Sequence, residues 1–335
     1  MIAITHDVAL PGTVSEDMPR IASLALLVLL AAELHADRVV TLHQPLGRRS
    51  DPTVTLLPDG RALVIGGSQT KTTFDLFDPV TSTFTPSAAQ TPLPLLDHTA
   101  TLLPDGRVLI AGGGYRTDGR PGMGNFGDDK LQLYDPVADE LRAAGTMSDW
   151  RQGHTATLLG DGTVLIAGGA NVDVGGFHIW RTTYRSAEIF DPVTGTIAAA
   201  GPMHARRSGH TATLLHDGRV LFFGGIPTGE AAPPPEPVAE IYDPATRSFT
   251  PVATDTHNRS GHTAALLPDG HVLLAGMLLF DPNSGATRST VLPFRGTHTV
   301  TPLRDGTLLL FGGGVTNVVY DPIRDVVVSD SRRWR

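Results

Sequence analysis

Five arginines recur at one fixed offset. Arg151, Arg207, Arg259 and Arg295 each stand three residues before a histidine (His154, His210, His262 and His298). Arg49 stands three before Pro52, where the histidine would fall, and Leu95 takes the arginine's place ahead of His98. A guanidinium is a permanent cation with five donors in a planar fork that matches carboxylates and phosphates. Set round one opening, the five would select an anionic ligand. Two cations ~10 Å apart in water repel by only about 0.4 kcal/mol, so such a ring is tolerable. The alternative is internal: each fork satisfies carbonyls or acids of an adjacent repeat's sheet, the neighbouring blade. The histidines His98, His154, His210, His262 and His298 form a second series. A metal needs its ligands within about 2 Å of one centre, and these sit on five separate repeats. They read as hydrogen-bonded spacers, and neither a metal site nor a cofactor is expected. The third group lies between Phe177 and Arg185, where His178, Trp180 and Tyr184 alternate with Arg181 and Arg185. Aromatics interleaved with arginine suit sugars, carboxylates or peptides; a packing loop resting Trp180 on its neighbour is the other reading.

Those residues hang on a repeated frame. The stretch from Gly209 to Gly225 reads as two short apolar runs joined by Asp217-Gly218, and its turn glycine recurs at Gly60, Gly106, Gly162, Gly270 and Gly306. Asp-Gly between such runs predicts a hairpin, with a type I′ turn. An aromatic residue before Asp-Pro follows each hairpin: Phe77, Tyr134, Phe190, Tyr242, Phe280 and Tyr320. Each repeat therefore predicts a four-stranded antiparallel meander, lettered a to d. Runs such as Val108-Leu109-Ile110-Ala111 are apolar on both faces, so each small sheet must be covered on both sides. Six such sheets leaning on one another predict an all-β, six-bladed β-propeller. Val39 to Leu46 has the sequence position of a fourth strand without a hairpin of its own. It is expected to close the ring by completing the sixth blade, in competition with Val326-Val327-Val328.

Antiparallel order assigns the two faces. Asp-Gly and Asp-Pro turns fall on one; the b–c loops and d–a crossovers fall on the other. The b–c loops are long in repeats two, three and four (Gly114 to Lys130, Ala170 to Ser186, Ile226 to Pro237) and nearly absent in repeat five. Binding is expected on that variable face.

The 335 residues contain no cysteine, which excludes disulfides and thiolate metal sites, and a net charge of −8 argues against a nucleic-acid binder. Arg20, the apolar run Ile21 to Ala32 and the small residue Ala36 fit a secretory signal over residues 1–36, with Met18 as a second candidate start. That run is too short for a membrane span. It predicts a periplasmic or secreted chain over residues 37–335, with no span of its own.

The Gly-Gly doublets, together with Gly-His-Thr-Ala-Thr-Leu-Leu, Asp-Gly-Arg-Val-Leu and aromatic-Asp-Pro, resemble bacterial kelch repeats grouped with the propeller domain of galactose oxidase. Two features depart from that pattern: the tryptophans are only Trp150, Trp180 and Trp334, and Met277 replaces a second glycine after Gly276. The resemblance implies a propeller fold used as a binding platform, an enzyme scaffold or a surface protein. Copper-radical oxidation, which needs a tyrosine crosslinked to cysteine, is excluded. No acid–base pair is recognisable by spacing, so the reading favours a non-catalytic protein that docks a glycan or peptide. A sugar epimerase or lyase is the alternative, with His178, Tyr184 and Arg207 as its candidate groups.

Overall fold

The computed structural model describes residues 52–67, 72–116, 125–175, 178–226, 237–254, 262–274, 278–292, 298–302, 307–312 and 318–330. Among them there is no helix, and so none long and apolar enough to cross a membrane. Six four-stranded antiparallel sheets carry the chain in order. Sheet one is Thr53–Leu56, Ala62–Ile65, Thr73–Asp78 and Thr83–Gln90. The same meander returns from Thr99–Leu102, Thr155–Leu158, Thr211–Leu214, Ala264–Leu266 and His298–Pro302. These first strands lie beside one another in sequence order. The architecture is all-β and propeller-like.

The second strands explain the stacking. Ala62–Ile65, Val108–Ala111, Val164–Ala167 and Val220–Phe223 are buried at every position. Alternate side chains of such a strand point to opposite sheet faces, so each strand must feed two seams. One apolar cluster accordingly fills each seam between consecutive sheets, from Leu63, Ile65, Val108 and Ile110 between the first and second to Leu273, Leu279, Leu308 and Leu310 between the fifth and sixth.

Two sequence expectations are corrected. The fourth strand of sheet six is Val326–Asp330, which pairs with Val318–Asp321. The tail therefore holds the place expected for residues 39–46, which lie outside the described residues. The Asp-Gly hairpins of the described residues are not type I′ either, because only the glycine has positive φ (Gly60 at 85°). Gly60 N donates to Leu57 O and Leu57 N to Arg61 O, a type I turn closed by a left-handed residue. Proline at the first corner, as at Pro58, sets the φ that this turn needs. The Asp-Pro aspartates cap their turns; Asp78 Oδ1, for example, accepts from Val80 N at 2.8 Å.

The histidine series staples the seams. His98, His154, His210 and His262 place Nε2 at 2.8, 3.0, 3.0 and 3.2 Å from the hydroxyls of Thr53, Thr99, Thr155 and Thr211, each on the preceding sheet's first strand. The glycine doublet makes room for the ring. A Cβ on Gly168 would sit 2.7 Å from His210 Cε1 and 2.6 Å from the carbonyl of Arg207. Gly-His-Thr and Gly-Gly are thus two halves of one contact.

Candidate functional site

The crossovers between sheets two, three and four run beneath the long b–c loops. Met147 N and Arg151 N donate to Asp129 O and Asp128 O at 2.8 and 3.2 Å. One sheet later, Met203 N and Arg207 N donate to Arg185 O and Tyr184 O at 2.7 and 3.2 Å. Two of the long loops form two-stranded hairpins, Gly114–Arg116 with Asn125–Gly127 and Ala170–Gly175 with His178–Thr183, and the hairpins lie against each other. They stand as a wall beside the crossovers.

The arginine register turns inward. Arg151 is 0% and Arg207 2% exposed, so neither guanidinium lines an opening. Arg151 donates to Gly168 O, Ser186 O, Asp149 and Glu188 at 3.1, 3.2, 3.0 and 3.1 Å. Arg207 donates to Gly224 O, Val238 O, Pro237 O and Glu240 at 2.6, 3.0, 2.9 and 2.7 Å. Apart from Asp149, which lies on the crossover itself, these are carbonyls and an acid of the sheet each arginine leads into, where an adjacent blade was the expected source. Burial draws the Arg151 guanidinium below its usual pKa, opposed by Glu188 and Asp149. Strand register explains Leu95: the third-strand position of Glu188 and Glu240 is Gln132 in sheet two. Both charges of the pair are missing there together. Arg49, Arg259 and Arg295 lie outside the described residues.

What remains on the surface is different chemistry. Arg185 is exposed and Tyr184 half-buried, with Arg151 Cζ 5.7 Å from its ring centroid. Burial and the charge of Asp149 raise the Tyr184 phenol. Trp150 is 50% exposed, its indole N–H held by Asp129 at 3.2 Å. Burial also raises the Asp128 carboxyl, with Asp129 adding to the effect. On the next crossover, Arg206 donates to Thr183 O at 3.2 Å and His204 stands half out of the protein. His178, Trp180 and Arg181 occupy one strand of the third-repeat hairpin, paired through their backbones with Gly175, Asp173 and Val172.

Trp150, His204 and Arg206 were missed in the sequence. The signal was there: aligned crossovers read Ser148-Asp149-Trp150-Arg151 and His204-Ala205-Arg206-Arg207. Only the last residue repeats, which separates a structural position from three variable ones.

No family model matches the chain, and no curated protein matches it. A solved structure titled "Structure of YjhT" is similar over 86% of this chain and 99% of that one, with a TM-score of 0.61 and 14% identity. At that identity the likeness shows the fold alone.

Proposed function

We propose that the chain is an exported, periplasmic or secreted, six-bladed kelch-type propeller. It binds a glycan or peptide with an anionic group on the face of the b–c loops. The observation that carries this reading is the exposure of aromatic rings and cations along successive crossovers of one face: Trp150 on the first, held by Asp129, and Arg206 on the next, bonded to the segment that leads into Tyr184 and Arg185. A fixed indole offers an apolar face for a sugar or an apolar side chain, and arginine supplies the fork for a carboxylate. Closure of the ring is supported by sheet one. Ala62, Val64 and Phe77 are at most 4% exposed, and Ala62 and Phe77 belong to a cluster separate from the one shared with sheet two. A partner on that far side is what sheet six would provide.

The test is retention of the full chain on glycan and peptide arrays. Arg185→Ala and Trp150→Ala should each lose retention at unchanged melting temperature. Retention equal to wild type in both variants would remove this site from the reading.

A further inference from the structure

The structure assigns a general base to this same face: His204, with its tautomer fixed by the buried carboxylate of Glu240. Glu240 Oε2 accepts from the His204 backbone N–H at 2.6 Å and from its ring Nδ1 at 3.0 Å. Oε1 accepts from Ala205 N at 2.9 Å and from Arg207 Nη2 at 2.7 Å. A carboxylate ringed by four donors can only accept, so Nδ1 carries the proton and the lone pair of the neutral ring is on Nε2. Glu240 is 0% exposed while the His204 side chain is 51% exposed. The acid is therefore shielded and the base reaches solvent.

Sheet three shows that the fold does not require this imidazole. There Glu188 accepts from Ser148 N at 3.0 Å and from Arg151 Nη2 at 3.1 Å. A serine backbone closes the same lock. The histidine ring on Glu240 is an addition to a complete structural contact. A base oriented through its second nitrogen by a carboxylate is the arrangement that activates nucleophiles and moves protons in hydrolytic and isomerising sites.

The cations beside it define the ligand. Arg206 lies on the crossover that carries His204 and reaches Thr183 O, and Arg185 lies on the loop whose carbonyl accepts from Met203 N of that crossover. They would hold a carboxylate or polarise a carbonyl. Nε2 then takes a proton from an adjacent C–H or O–H, becoming an imidazolium beside Glu240, and returns it to the product. No oxidant or external proton is consumed. The assignment rests on the binding reading for its ligand, and extends it from a molecule held to a carbonyl compound turned over.

p-Nitrophenyl acetate tests the base without needing that ligand. Nε2 attacks the ester carbonyl, the C–O bond breaks, p-nitrophenolate leaves, and water hydrolyses the acetyl-imidazole to acetate. His204→Ser, which installs the residue of sheet three, should lower protein-dependent release at pH 7.5 by at least about tenfold. His216→Ser should leave it unchanged, because His216 is exposed but its Nε2 lies 3.0 Å from Leu267 O. On the wild type, 15N NMR should place the His204 proton on Nδ1. An unchanged rate in His204→Ser, or a proton found on Nε2, overturns the assignment. Array retention by His204→Ser is read separately, so failure of the base and failure of the binding reading are distinguishable.

Discussion

Replacing Arg207 by alanine separates an internal arginine from a ligand-binding one. The guanidinium makes four hydrogen bonds of 2.6 to 3.0 Å, three to carbonyls and one to Glu240, and both partners of the ion pair are almost fully buried. Truncation leaves Glu240 buried with its balancing cation gone. Breaking a buried pair in this way costs about 3–5 kcal/mol, against a total of roughly 5–15 kcal/mol for a folded protein. Urea unfolding followed by circular dichroism should therefore show Arg207→Ala losing at least about 3 kcal/mol. The double substitution Arg207→Leu with Glu240→Gln copies the Leu95 and Gln132 pair of sheet two. It removes both charges together and should recover at least half of that loss, since exchanging both members of a buried pair is far milder than orphaning one. A loss below about 1 kcal/mol in Arg207→Ala would refute an interior role.

Three further outcomes follow from the same contacts. Burial lowers His98 to about 4 and His154 to about 3, the latter with help from Arg151, whereas an unfolded histidine titrates near ~6.5. Their stability contribution is complete above about pH 6.5 and is lost as pH falls toward those values, with a slope approaching about 1.4 kcal/mol per pH unit for each; a urea midpoint that stays flat from pH 7.5 to 4.5 would contradict it. Gly168→Ala places a Cβ 2.6 Å from Arg207 O at a φ of 65°, whereas Gly162→Ala meets nothing closer than Pro104 Cγ at 3.7 Å. Both carry the left-handed penalty of about 1–2 kcal/mol, and thermal melts should show Gly168→Ala clearly the worse. Thr155→Val removes the hydroxyl partner of the buried His210 Nε2 in a seam and should cost about 1–3 kcal/mol by urea titration.

The frame was legible because the chain states it repeatedly. Doubly apolar runs such as Val164–Ala167 can only be strands covered on both sides, and a turn glycine precedes each of them. The turn type was misread because Asp-Gly alone does not reveal which residue takes positive φ; proline at Pro58 was the discriminating neighbour. The fourth strand of sheet six was misassigned because residues 39–46 and the valines from Val326 carry equivalent β patterns, and pattern alone does not rank two edge strands. The arginine register was visible, but its direction was not. Its direction was encoded in the third strands, where Glu188 and Glu240 interrupt otherwise apolar runs and where Gln132 accompanies Leu95. Trp150 and His204 escaped notice because a crossover has no periodicity of its own.

The most direct measurement is a crystal structure of the protein with a ligand that the arrays retain. Density for that ligand should lie across Trp150, Tyr184 and Arg185, with its anionic group toward Arg185 or Arg206. Density over the Asp-Gly turns on the opposite face, or along the outer edge strands, would contradict the account.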